Sequence, residues 1–299
     1  MKLNVAIAGY GNLGKSLEKQ ILADDELNLR AVISRRNIAN ERLVGYKNLQ
    51  TLAGKVDVVL LALGSYRDLA ETAHHFASFH TVDSFDTHGE IENHKNLLNG
   101  VKPNKISVCA VGWDPGLLSI ARGTFSVAGG KVATFWGEGI SQGHSNALRS
   151  IKGVLDAVEI TLPNAKAQQA MLDGNEVAEN LRHTRLCYVA CVQEDKQRVE
   201  QEIRNLPHYF LGQQVKIVFC SVAEVRERKL CTKHSGQVIG MGKGFCAQTK
   251  ITLESNTDFT AKIMLAYAKA VPQLEKDGYR GALDPFDIPL KYVANKNLV

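Results

Sequence analysis

The sequence predicts an α/β chain in two parts, a doubly wound parallel sheet followed by an α+β domain, and three observations predict it. In the first third, short apolar β-branched runs alternate with amphipathic segments. After Trp113-Asp114-Pro115-Gly116, strand-like runs follow one another with few long helices between them. The length, 299 residues, suits two domains of roughly 150 residues each.

The first strands are expected at residues 4–8, 29–34, 56–63, 79–83 and 105–111. Between the first two, Leu13, Leu17 and Ile21 recur every four residues while Lys15, Glu18 and Lys19 point elsewhere, the pattern of a helix with one buried stripe. The later strands are expected at 131–137, 158–162, 185–192, 214–221, 237–241 and 246–254, as in an antiparallel sheet. Residues 258–271 carry a helical face of Phe259, Ile263, Met264, Tyr267 and Val271, expected to end or kink at Pro272. The predicted domains are residues 1–116, with about 257–299 packing back on them, and residues 117–256.

At 44% hydrophobic and 22% charged, the composition excludes disordered and fibrous chains. The net charge of +5 is small and its basic residues are scattered; the Arg226-to-Lys229 patch reads as a solvated loop, so no nucleic-acid partner is expected. The longest near-apolar run, residues 56–63, contains Asp57 and is far too short to span a bilayer, and no leader pattern opens the chain. A soluble cytoplasmic protein is expected. No Cys-x-x-Cys pair occurs, and Cys109, Cys187, Cys191, Cys220 and Cys246 lie in apolar stretches, as small core residues of a reduced compartment. His74, His75, His80, His88, His94, His144, His183 and His208 have no metal-ligand spacing, so no metal is expected.

Gly9-Tyr10-Gly11-Asn12-Leu13-Gly14 follows the first strand and opens the first helix, the context in which Gly-x-Gly-x-x-Gly binds a dinucleotide. Gly9 allows the tight turn, Gly11 lets the backbone approach the pyrophosphate, and Gly14 lets helix and strand pack closely. The helix N-terminus offers unpaired N–H groups and a partial positive charge to phosphate. An NAD site places an acid at the end of the second strand; here that strand ends Ser34-Arg35-Arg36. Guanidinium forks pair with a 2′-phosphate, so the expected cofactor is NADP.

Eight further segments carry a more specific signal: AGYGNLGKS at 8–16, SRR at 34–36, TVDSFDTH at 81–88, GWDPG at 112–116, FWGEGISQGHSNALR at 135–149, ITLPN at 160–164, HTRLCYV at 183–189 and NTDFTAK at 256–262. In these the sequence resembles the meso-diaminopimelate D-dehydrogenase family, NADP-dependent enzymes of bacterial lysine and cell-wall precursor metabolism. The resemblance implies a Rossmann-type doubly wound domain plus an α+β substrate-binding and dimerisation domain, and a homodimer. It implies oxidative deamination of the D-centre of meso-2,6-diaminopimelate to L-2-amino-6-oxopimelate.

By the same resemblance, Asp86 and Asp114 lie near the reacting D-centre, as an orienting and electrostatic pair. Trp113, Trp136, Gln142, Gly143, Thr161, Arg185, His234 and Asn256 surround the substrate, with Arg185 on the remote carboxylate. Gly64, Ser65, Ser84, Phe85, Gly112 and Pro115 join the glycine turn and Ser34-Arg35-Arg36 at the nucleotide. Read without the family, Asp86 and Asp114 suit helix caps, Arg185 an exposed strand edge, Trp136 a core position and His234 a solvated loop. Two other functions remain open on the residues alone: another NADP-linked two-domain oxidoreductase, like homoserine dehydrogenase or dihydrodipicolinate reductase, or a non-catalytic NADP sensor.

Overall fold

A computed structural model describes residues 2–65, 67–230 and 233–294. The chain divides into two compact units, residues 1–117 with 257–299, and residues 118–256.

In the first unit, β1 (Leu3–Ala8), β2 (Leu27–Ile33), β3 (Leu43–Val44), β4 (Val58–Leu61), β5 (His80–Asp83) and β6 (Ile106–Val108) are joined, among the described residues, by a last strand, Gly281–Leu283. All pair in parallel, in the order Gly281–Leu283, β6, β5, β4, β1, β2, β3. That order reverses beside β1, which puts a crevice at the carboxyl ends of β1 and β4. Strand side chains alternate between two cores. Val5 and Ile7 join Val32, Val58, Leu60 and Val82 on one face; Ala6 and Ala8 join Ala31, Ile33, Val59 and Leu61 on the other. Both faces are buried, which is why these strands read as continuous apolar runs.

Helix α1 (Asn12–Leu22) covers the first face through Leu17 and Ile21. Met264, Tyr267, Ala268, Val271 and Leu274 of the helix Asn256–Lys276 pack into the same core. Helix α2 (Asp68–Thr72) and the 3-10 turn after it bring Leu69 and Phe76 to the opposite face. Helix α3 (Ile91–Val101) precedes β6. The helix expected to end or kink at Pro272 runs on to Lys276, because Val271 and Leu274, on either side of the exposed Pro272, are buried in the core. The strands β3 and Gly281–Leu283 were not expected; two and three residues are too few to show a period.

In the second unit, α4 (Leu117–Val127) leads to β7 (Lys131–Trp136) and β8 (Gly139–Ile140), then α5 (Gln142–Ser150) and β9 (Val154–Pro163). After α6 (Ala165–Leu172) come β10 (His183–Cys191), α7 (Lys196–Arg204) and β11 (Gln214–Phe219). Then follow α8 (Val222–Arg228), β12 (His234–Gly242) and β13 (Phe245–Leu253). Two sheets form, ordered β11-β10-β9-β8 and β13-β12-β7.

The expected antiparallel sheet is mixed: β10 and β11 are parallel, joined by α7. A parallel pair needs a crossover, and α7 was missed because Val199 and Ile203 alone mark its buried stripe. The Arg226-to-Lys229 patch is not a loop. Residues up to Arg228 lie in α8, which opens on a Ser221/Glu224 capping box; Arg228 lies 4.8 Å over the Tyr188 ring, and Lys229 pairs with Asp156. Cys109 and Cys187 are buried, whereas Cys191 and Cys220 are half-buried and Cys246 is exposed, on the outward-alternating face of the edge strand β13. Among the described residues no helix is long and apolar enough to cross a membrane, and no cluster of His, Cys, Asp and Glu could hold a metal.

Pro272 leaves the carbonyl of Ala268 without its helical N–H partner. Pro272→Ala is therefore expected to raise the free energy of unfolding, by up to about 3 kcal/mol, read as a higher urea midpoint at unchanged slope.

Candidate active site

The glycine turn lies at the carboxyl end of β1. Gly9 has φ +93°, and a Cβ there would stand 2.3 Å from the Ala62 carbonyl oxygen at the end of β4. A Cβ on Gly14 would stand 2.2 Å from the Gly9 oxygen, so α1 presses directly on the turn. At Gly11, by contrast, a Cβ would meet nothing within 4 Å. Gly11 is the N-cap of α1, no side chain caps the helix, and its first turn carries no acid. Asn12 is exposed and Leu13 half-buried, while Tyr10 donates its hydroxyl to Glu18. Open space before uncapped N–H groups fits a pyrophosphate.

At the end of β2, Ser34 is buried and its Oγ accepts the Arg36 N–H at 3.0 Å; Arg36 is exposed. Arg35 donates to Asp68 at 2.6 Å, and both side chains are partly exposed. An exposed pair of this kind is weak, and a 2′-phosphate carries more charge than the carboxylate it replaces. The residues present fit NADP.

Ser65, just beyond β4 and beside Gly64, accepts the Asp86 N–H on its Oγ at 3.0 Å. Ser84 is half-buried, and Phe85 is buried with its ring stacked on His94 at 4.3 Å. Burial pushes the Asp86 carboxyl above its ordinary pKa, with Ser65 and the charge of His88 opposing. The Asp114 carboxylate is fully enclosed, 3.9 Å from His88 Nε2. Trp113, Gly112 and Pro115 are buried around it. His88, which sequence reasoning left without a role, thus faces both carboxylates.

In the second unit the chain gathers polar side chains around a buried arginine. Arg185 stands opposite Thr161 in the β10–β9 ladder, and Thr161 stands opposite Gly139 of β8. Arg185 Nη1 donates to Thr161 Oγ1 at 2.7 Å, and Thr161 donates to Glu159 at 2.9 Å. The guanidinium lies 3.9 Å from Glu159 and 5.9 Å from the Trp136 ring. Arg185 is 7% exposed, and its Nε has no bond partner among the described residues. It is not the exposed edge residue that its sequence context suggested, because β10 is interior to its sheet.

Gly137 brings Trp136 here: a Cβ would stand 2.3 Å from the Thr161 oxygen, and its N–H bonds the Ser235 carbonyl at 2.7 Å. Trp136 is half-buried, against the core position read from sequence. Next to Ser235, His234 is buried at the start of β12 and is not the solvated loop residue expected; Thr232 of that stretch lies outside the described residues. His234 Nδ1 lies 2.8 Å from the Ser235 backbone nitrogen and 3.0 Å from the Ser235 carbonyl oxygen. Gln142 and Gly143 open α5 directly after β8, and Asn256 follows β13, whose Leu253 pairs with His234.

Two residues of this pocket were missed. Glu159 was read as part of a strand, yet a carboxylate in an apolar run, two residues from Thr161 and so on its face, was the available signal. The His183 ring lies 4.8 Å from that of Trp136, tilted by 30°; burial, with Arg185 and Arg182, holds its pKa down to about 3, so it is neutral.

Burial raises the Glu159 pKa to about 7, against Arg185 and Thr161. In the unfolded chain it titrates near the ordinary ~4.3, so the folded state binds its proton more tightly and stability falls as pH rises from about 4.3 to about 7. Glu159→Gln mimics the protonated form. Its unfolding free energy is expected to improve relative to the parent as pH rises through that window and to hold level above it, measured by urea titration at each pH.

Comparison with known proteins places this geometry. The C-terminal domain of diaminopimelic acid dehydrogenases matches residues 112–259. A meso-diaminopimelate D-dehydrogenase of Acetivibrio thermocellus is 37% identical over 99% of this chain and 95% of its own. Diaminopimelate dehydrogenase of Corynebacterium glutamicum, solved in complex with diaminopimelate, superposes with a TM-score of 0.91 at 34% identity over 99% of this chain and 97% of that one. An engineered D-amino acid dehydrogenase bound to NADP+ superposes with a TM-score of 0.93 at 33% identity, covering 100% and 98%. On whole-chain identity and fold together, this chain belongs to the meso-diaminopimelate D-dehydrogenase family.

Proposed function

We propose that this protein oxidises the D-configured centre of meso-2,6-diaminopimelate with NADP, giving L-2-amino-6-oxopimelate, ammonia and NADPH, and catalyses the reverse reductive amination. The observation that carries the reading is the buried Arg185, whose Nε has no partner among the described residues and whose Nη1 donates to Thr161. Such a group calls for a carboxylate from outside the chain.

Bound NADP supplies the hydride acceptor. On the substrate, the Cα–H bond gives up its electron pair, the neutral amine lone pair forms the C=N bond of an iminium, and water then adds while ammonia leaves. The chain must therefore deprotonate an ammonium and stabilise the positive charge that develops. Asp86 and Asp114 perform the second task as an anionic pair beside the reacting centre. His88 lies beside them, its Nε2 3.9 Å from Asp114.

The remote L-centre is held by Arg185 on its carboxylate, with Thr161, His234 and Asn256 adding hydrogen bonds. Trp136, Gln142 and Gly143 complete the surround, and Trp113 lines the reacting end. On the nucleotide, residues 9–14 hold the pyrophosphate and Ser34, Arg35 and Arg36 the 2′-phosphate. Gly64, Ser65, Ser84, Phe85, Gly112 and Pro115 line the nicotinamide side. Two recognised ends fix which centre reacts, because an L-centre at the reacting position leaves Arg185 unpaired or its own centre inverted.

The protein acts in the cytoplasm as a homodimer. Exposed Leu155, Val192, Leu211 and Leu230 on the second unit are apolar surface that a second copy would cover.

NADPH formation with NADP and, separately, meso-, LL- and DD-diaminopimelate, D-lysine and homoserine tests the reading. Turnover confined largely to the meso form is expected, and Asp114→Ala is expected to lose at least about a hundredfold in kcat. Tight NADP binding without turnover of any diaminopimelate would refute the substrate, and equal efficiency with NAD would refute the cofactor preference.

A further inference from the structure

The residue that carries this inference touches no substrate in the reading above. Asp83 ends β5, and its side chain is fully enclosed. Its Oδ1 accepts two backbone N–H groups, from Phe85 at 3.0 Å and from Ala110 at 3.0 Å. Its Oδ2 is bonded to His94 Nε2 at 2.9 Å, and its own carbonyl accepts the Val111 N–H at 3.1 Å. Phe85 immediately precedes Asp86, while Ala110 and Val111 lead into Gly112-Trp113-Asp114. One oxygen atom thus ties the segments that bear both carboxylates.

Two further features bear on the same point. Ala110 has φ +56°, a left-handed conformation that is strained for an L-residue and persists where its surroundings over-determine it. Asp83 supplies that determination. His94, besides bonding Asp83, lies flat on Phe85 with an interplanar angle of 8°, so the same ring braces the carboxylate and the loop it holds.

Stability alone does not require a charge here. A buried carboxylate repays its desolvation poorly, and apolar side chains of similar volume are often as stable. What apolar side chains cannot do is accept two N–H bonds from two loops at one point.

We propose that Asp83 is a positioning residue for the reaction, fixing the loops of Asp86 and Asp114 in one register through its Oδ1, with His94 fixing Asp83 in turn. The proposal rests on the function proposed above. It makes the placement of both carboxylates a property of one buried acceptor, so displacing that acceptor shifts both at once.

Three variants separate position from charge and from folding. Asp83→Asn loses the charge but keeps the acceptor; Asp83→Glu keeps the charge but moves the acceptor by one methylene; Asp83→Leu keeps the approximate volume and has no acceptor. Each is assayed for kcat, KM for NADP, and the deuterium isotope effect on kcat with diaminopimelate deuterated at the reacting carbon. The isotope effect does not depend on how much enzyme is folded, so a merely structural role would not move it.

Asp83→Asn is expected to stay near the parent in kcat and isotope effect. Asp83→Leu and Asp83→Glu are expected to lose about a hundredfold in kcat, as misplacement by about 1 Å does, with KM for NADP little changed and a larger isotope effect. If Asp83→Leu does not fold, the Asn and Glu pair decides alone. Asn and Glu variants with the same kcat and isotope effect would overturn the proposal. A parent enzyme that turns over no diaminopimelate would instead overturn the function on which it rests.

Discussion

A guanidinium taken out of water with too few partners is the constraint around which this molecule is arranged. Removing an ion from water costs several kcal/mol, and Arg185 recovers only part of it from the Thr161 hydroxyl and from Glu159 at 3.9 Å. Glu159 is itself so enclosed that its pKa rises to about 7, so its compensating charge is partial at neutral pH. The strands hold this arrangement because Arg185, Thr161 and Gly139 are register partners across three neighbours of one sheet. On the function proposed here, the unmet demand of the cation selects a substrate carrying a second carboxylate.

The first unit presents the opposite sign. Asp86 and Asp114 lie on segments that leave β5 and β6, next to the turn after β1, where an open parallel sheet binds its ligands. Their negative charge suits an ammonium that becomes an iminium, and the open space at Gly11 suits phosphates.

Much of this was legible in the sequence where the signal is periodic or dense. Both faces of the parallel sheet are buried, so its main strands appear as apolar runs, and the glycine turn is legible because three positions impose separate steric demands. Short edge strands such as Leu43–Val44 and Gly281–Leu283 are too brief for a period, and α7 shows only two apolar residues on its stripe. Arg185 and His234 looked like surface residues because burial of a polar group depends on which strands flank it, and the order of strands is not a local property. Glu159, His183, Asp83 and His94 were missed for the same reason. Their roles come from partners 2 to 47 residues away in the chain, brought together by strand register and loop closure. Pro272 misled in the other direction: the local rule against proline in a helix is real, but the burial of its neighbours outweighs it.

The most direct test of the central claim is a cycle of kcat/KM for the parent and Arg185→Met, each with meso-diaminopimelate and with D-lysine, which lacks the remote carboxylate. Hydrogen bonds to a charged group are worth about 1.5–3 kcal/mol, so the substitution should cost roughly ten- to a hundredfold on diaminopimelate, carried by KM, and little on D-lysine. An equal loss on both substrates would mean that Arg185 supports the fold and does not read the second carboxylate.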